Sequence, residues 1–162
     1  MAAAELAFHV CAGASFRDGL FIEPGVGHLA VWASAALGLK QVTAVSRDAL
    51  SLRAVDFNLA CLPERSRPKL SAVDALAVDD LPSGSFDLVV ESPDVVPERD
   101  WIGPSWKLAG QVLRSGGVYL VLCSPTEMTR MEKRRPTGGG GRWSLLGQKR
   151  KKGFIASAWR KT

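Results

Sequence analysis

The stretch from Leu20 to Ser46 constrains this chain more than any other, because its hydrophobic pattern switches from strand to helix and back within one short segment. The apolar run Leu20-Phe21-Ile22 reads as a strand leading into Glu23-Pro24-Gly25-Val26-Gly27. His28 to Leu37 is rich in helix formers, Gly38 supplies a stop, and Val42-Thr43-Ala44-Val45 returns to a strand. A strand that turns on glycines straight into a helix gathers backbone N–H groups and the positive helix end above the sheet edge. Open α/β sheets hold nucleotides there, outside the carboxyl ends of their strands.

The 162 residues suffice for one domain with a single core and leave no room for a separate substrate domain. An apolar content of 46% excludes an intrinsically disordered chain. The longest apolar runs are broken by Gly, Pro or charge well short of a membrane span, and Met1 to Leu6 lacks the basic start of a secretory signal. Cys11, Cys61 and Cys123 are scattered among apolar neighbours and match no metal spacing, so they read as buried, reduced thiols of a cytoplasmic protein. The net charge of +5 conceals an asymmetry. Residues 1–129 carry 10 Lys/Arg and 15 Asp/Glu, whereas residues 130–162 carry 11 Lys/Arg and one acid, Glu132. Such a basic block is either a solvated tail or a surface for a phosphate-rich partner.

Residues 2–11 read as a short helix within an N-terminal lead-in of residues 1–16, and residues 48–60 as a second helix, with Leu52, Val55 and Leu59 on one face. Lys69 to Val73 predicts a third strand, Asp79 to Ser85 a loop, and Phe86 to Val90 a fourth strand. Pro93 to Pro104 is a long connection before a helix from Trp106 to Leu113. Arg114-Ser115-Gly116-Gly117 reads as a turn into a fifth strand, Val118 to Leu122, and Pro125 to Lys133 as a helix with Pro in its first turn. Two final strands, Arg142 to Leu146 and Phe154 to Trp159, flank the polar Gln148 to Gly153, making residues 134–162 a basic hairpin. The expected architecture is α/β: a single domain with a doubly wound, Rossmann-like, seven-stranded, mostly parallel sheet. Its final strand is antiparallel, and helices cover both faces.

This order resembles the class I S-adenosylmethionine (SAM)-dependent methyltransferases, most of all the small-domain group that modifies ribosomal RNA. The matching pieces are Gly25-Val26-Gly27-His28-Leu29-Ala30, Val42-Thr43-Ala44-Val45-Ser46, Val73-Asp74-Ala75, Phe86 to Asp94, and Val112 to Leu120 with Gly116-Gly117 at the entry to strand five. The resemblance implies SAM as cofactor, held by Glu23, Gly25, Gly27, Ser46, Arg47, Asp48, Asp74 and Ala75. It also implies that a side chain at Gly27 would project into the ligand's space.

The chain departs from the family pattern in instructive places. Phe21 stands where the family has an acid ending strand one, and Glu23 where it has the first glycine; alternatively, Glu23 is that acid in a shortened turn. Ser46 replaces the acid that grips the ribose hydroxyls at the end of strand two, with Asp48 as a possible substitute; an aspartate restored at Ser46 is then expected to tighten binding. Amino-methyltransferases of this type carry N/D-P-P-Y/F after strand four, where carbonyl oxygens accept the target amine's hydrogens. Here the loop is Glu91-Ser92-Pro93-Asp94, the implied catalytic residues, and Trp101 and Trp106 are the nearest rings for stacking a base. Lys149, Arg150, Lys151 and Lys152 are expected on the turn between the last two strands, as phosphate contacts far from the cofactor.

The leading reading is therefore methyl transfer to an amino nitrogen of an RNA base, ribosomal RNA above all. A catalytically degenerate module that binds RNA or a protein partner is the alternative, motivated by Ser46 and the altered loop. A small-molecule methyltransferase ranks third, because little chain is left to enclose a small substrate. The oligomeric state stays open.

Overall fold

The computed structural model describes residue 11 and residues 15–93, 100–137, 142–151 and 153–162. The expected N-terminal helix lies almost wholly outside the described residues. Seven strands form one sheet: β1 (Asp18–Ile22), β2 (Gln41–Ser46), β3 (Lys69–Asp74), β4 (Phe86–Glu91), β5 (Leu113–Cys123), β6 (Trp143–Lys151) and β7 (Phe154–Lys161), in the order β3-β2-β1-β4-β5-β7-β6. β1 to β5 pair in parallel, and β7 runs antiparallel to both β5 and β6. The chain order reverses between β1 and β4, and such a reversal opens a crevice at the strands' carboxyl ends.

Alternation along the strands builds two cores. Phe21, Val42, Ala44, Leu88, Val90 and Leu120 face helices α1 (His28–Leu37) and α2 (Ala49–Ala60). Leu20, Val45, Val89, Tyr119, Val121 and Trp159 face α3 (Ile102–Val112) and α4 (Pro125–Lys133). On this second side Trp106 lies within 5.3 Å, centroid to centroid, of the rings of Tyr119, Trp143 and Trp159.

Local chemistry sets the element ends. Gly27 and Gly38 cap α1 with φ of 83° and 72°. A Cβ at Gly27 would lie 2.9 Å from Val55 Cγ2 and 3.1 Å from Val55 Cα, so this glycine permits α1 and α2 to approach. That corrects the expectation that a side chain there would enter ligand space. Helix α3 starts at Ile102, earlier than Trp106. Pro104 is tolerated because the first amides of a helix have no partner within it, and Asp100 Oδ1 accepts from the Ile102 N–H at 3.2 Å. At the other end Lys161 Nζ donates to the Gly110 and Leu113 carbonyls at 2.6 and 2.7 Å. Ser124 caps α4 with Pro125 at its start.

Three further expectations change. Residues 114–117 are a bulge within β5 rather than a turn before it, since Phe86 pairs with Leu113 and Leu88 with Val118. Residues Ala75–Asp80 form a 3-10 turn that takes in the first two residues of the expected loop. Strand β6 continues through Lys151, because backbone pairing to β7 extends to Phe154 despite the polar sequence. Among the cysteines, Cys11 and Cys123 are buried, with thiol pKa pushed up to about 12 by desolvation, but Cys61 is exposed.

Candidate functional site

A cavity of about 510 Å³ opens where β1, β2 and β4 end. Ile22 and Val45 form its apolar base, the 3-10 turn contributes Ala75, Leu76 and Val78, and the start of α3 contributes Trp101, Ser105 and Leu108. Glu23, Asp79, Glu91, Asp100, Arg47 and Lys107 supply its charged groups.

Glu23 follows the last residue of β1 with φ of 47°, a left-handed conformation that costs a non-glycine residue free energy. Its N–H donates to the Val45 carbonyl at 2.9 Å. The backbone is therefore that of the first register, a glycine position filled by glutamate, and Phe21 belongs to the core, 1% exposed. The Glu23 carboxylate nevertheless reaches the end of β2. Oε2 accepts from Ser46 Oγ at 2.8 Å, and Oε1 lies 3.4 Å from the Arg47 N–H and 3.5 Å from Arg47 Nε. Ser46 Oγ in turn accepts from the Asp48 N–H at 3.1 Å. With 1% of its surface exposed, Ser46 orients Glu23 and does not line the cavity.

Glu91 ends β4, and Ile22 stands opposite it in the ladder. One carboxylate oxygen accepts from Ser105 Oγ at 2.7 Å and the other from the Tyr119 hydroxyl. Burial pushes the Glu91 pKa up, the two hydroxyl donors oppose this, and the charge on Glu23 adds to the rise. Burial and the Glu91 charge push the Tyr119 phenol well up, which keeps it a donor. Asp100 is held down at about 2, chiefly by Arg134, whose guanidinium donates to it at 2.6 and 2.8 Å. Trp101 is fixed by its Nε1–H to Glu127 Oε2, 2.9 Å.

The structure thus brings Glu23, Arg47, Ala75, Glu91, Pro93 and Trp101 to one cavity. Gly25 is not among the lining residues; it lies in the turn between β1 and α1 with φ of 56°, and a Cβ there would meet nothing within 4 Å, so its backbone is unobstructed. The remaining expected residues are placed elsewhere. Asp48 caps α2, accepting from the Leu50 N–H and Ser51 Oγ at 2.9 and 3.0 Å. Asp74 caps the 3-10 turn by accepting from the Leu76 N–H at 2.8 Å. Ser92 is exposed beside the cavity, and Asp94 and Lys152 lie outside the described residues. Trp106 is 2% exposed within the aromatic cluster, which removes it as a base-stacking ring.

Lys149, Arg150 and Lys151 sit on strand β6, opposite Ala156, Ile155 and Phe154. Ile155 also pairs with Cys123, the last residue of β5. The basic run therefore lies along the same sheet edge as the cavity, three strand positions from β4. Ser105 and Tyr119 escaped sequence reasoning; the signal was a lone tyrosine inside an apolar strand, whose buried hydroxyl needs a partner.

No protein-family model and no curated protein matches the sequence. Solved structures do match in fold. The candidate methyltransferase YhhF of Escherichia coli superposes with a TM-score of 0.75 at 17% identity, over 99% of this chain and 86% of that one. The candidate RNA methyltransferase PH1948 of Pyrococcus horikoshii gives 0.69 at 18%, over 99% and 81%. The N-methyltransferase NodS of Bradyrhizobium japonicum, in complex with S-adenosylhomocysteine, gives 0.68 at 11%, over 99% and 85%. Strand order, strand directions and these likenesses establish that the chain has the fold of the class I SAM-dependent methyltransferases.

Proposed function

We propose that this chain binds SAM in the cavity at the ends of β1, β2 and β4 and transfers its methyl group to an amino nitrogen of an RNA base, with ribosomal RNA as the leading substrate. The observation that carries the reading is the pair of carboxylates, Glu23 and Glu91, that face one cavity from neighbouring central strands of a methyltransferase fold. The cavity fits the cofactor in kind. Its volume of about 510 Å³ is within the range of small-molecule sites. Ile22, Val45, Ala75 and Val78 offer an apolar wall to a flat purine, and the Gly25 backbone is unobstructed. When bound, SAM supplies an electrophilic methyl group on a sulfonium.

The chain's own residues do the rest. Glu23, steadied by Ser46 and Arg47, accepts hydroxyl hydrogens of the nucleoside. Glu91 and the backbone carbonyls of Ser92 and Pro93 accept the target amine's hydrogens, so that its lone pair faces the methyl group. Alignment of this kind supplies much of the acceleration for such a transfer. Trp101 is the aromatic ring among the described lining residues and can stack a base, and the basic residues of β6 meet RNA phosphates along the same edge. The neighbour PH1948 is named for RNA and NodS is complexed with S-adenosylhomocysteine, both consistent with this reading.

Titration calorimetry with SAM, followed by tritium transfer from labelled SAM to ribosomal RNA, tests the two halves in turn. Absence of binding at millimolar SAM overturns the cofactor; binding without transfer to any RNA overturns the reaction. The second outcome favours a non-catalytic RNA-binding module, a reading motivated by the burial of Trp106 and the lack of an aromatic at Asp94.

A further inference from the structure

We propose that Glu91 makes the cavity charge-selective, so that it holds the cationic sulfonium of SAM more tightly than the neutral thioether left after transfer. The inference rests on the cofactor reading above and adds to it a means of releasing product.

Counter-charges are shared unevenly among the acids of the cavity, of which Asp79 is exposed to water. Glu23 has Arg47 beside it, and Asp100 has Arg134. Glu91 is 6% exposed and lines the cavity, yet among the described residues its two oxygens are met only by the neutral hydroxyls of Ser105 and Tyr119. No ion pair to it is formed among the described residues. A carboxylate withdrawn from water with no counter-charge is costly, and the neighbouring Glu23 adds repulsion. Tyr119 and Ser105 close the protein side of Glu91, so the cavity is where a compensating cation can be admitted. Of the cavity's own cations, Arg47 is engaged with Glu23, and Lys107 is on the exposed side of α3.

A ligand bearing a positive charge supplies what the described residues do not. In a partly enclosed site this attraction is several times stronger than in water. Loss of the methyl group leaves the sulfur neutral and removes it. The same carboxylate that favours the reactant thereby loosens the product, without any movement of the chain.

Calorimetric titration of the full chain with SAM, sinefungin and S-adenosylhomocysteine tests this. Sinefungin carries an amine in place of the methylsulfonium, so it reports charge apart from methyl contact. Both cations are expected to bind at least about tenfold more tightly than S-adenosylhomocysteine, equivalent to about 1.4 kcal/mol. Glu91→Gln should cut that preference to about twofold by weakening the two cations alone. Equal binding of SAM and S-adenosylhomocysteine by the unaltered chain overturns the proposal, a result that needs no variant to fold. A preference undiminished in folded Glu91→Gln overturns it too. If none of the three ligands binds, the cofactor reading itself has failed.

Discussion

Ser46 Oγ donates to Glu23 over 2.8 Å and accepts from the Asp48 N–H over 3.1 Å, with 1% of the residue reaching solvent. From the sequence, an aspartate at Ser46 should restore a ribose-binding acid and tighten SAM binding. The contacts reverse that expectation. A carboxylate built there would face the Glu23 carboxylate within hydrogen-bond range and out of water, where like charges cannot both stay ionised. Ser46→Asp should therefore weaken SAM binding and lower stability by about 1–3 kcal/mol, the cost of breaking a buried polar pairing. Urea unfolding and calorimetry on the same variant check both effects; tighter binding would show that Ser46 itself faces the ligand.

At the scale of elements, Gly27 and Asp87 each tie neighbouring pieces together. Gly27→Val sets a side chain against Val55 where α1 meets α2, and overpacking of this kind costs about 1–3 kcal/mol. A lowered melting temperature, partly recovered when Val55→Ala is added, is the expected pattern. Non-recovery would leave only the left-handed φ of 83° as the cause. Asp87 on β4 accepts from the Arg17 and Asp18 N–H groups at 2.9 and 3.0 Å, and pairs with Arg114 of the β5 bulge at 2.7 Å. Burial favours the neutral acid, but those N–H groups and Arg114 together outweigh it and hold the carboxyl below its ordinary range. A folded-state pKa below the unfolded value contributes stability above the unfolded value of about 3.9 and loses it as pH falls through the folded one. Asp87→Asn should thus cost about 2 kcal/mol at neutral pH. The gap from the unaltered chain should close as acidification carries the solution through the lowered folded-state pKa, measured by urea unfolding at neutral and acid pH.

For the whole molecule, the sheet order places the basic strand β6 three positions from β4, roughly 14 Å along the sheet at the usual strand spacing. It shares the edge on which the cavity opens. Replacing Lys149, Arg150 and Lys151 with Gln should leave SAM binding in the absence of RNA unchanged, since the separation exceeds the screening length near 0.15 M salt. RNA binding should weaken for all sequences, and its salt dependence should flatten by roughly 0.7–0.9 in slope for each phosphate left without its cation. An unchanged slope in a filter-binding series would make this edge a solvated strand.

Much of the fold was legible in the linear chain because local signals and their order agree. The glycines after Ile22 and Leu37, the apolar runs of β4 and β5, and Pro125 at a helix start act over a few residues, so neighbours in sequence suffice to read them. The cavity residues were legible only in part. Glu23, Arg47, Ala75, Glu91, Pro93 and Trp101 were found because a family pattern points to strand ends. What those side chains do depends on partners brought from far along the chain: Ser46 to Glu23, Ser105 and Tyr119 to Glu91, Val55 to Gly27, Ile155 to Cys123. Such contacts follow from register and packing, which no local propensity specifies. Sequence alone determined the alternation of strands and helices; tertiary structure decided which carboxylate stays uncompensated, which glycine is open, and which edge carries the basic strand.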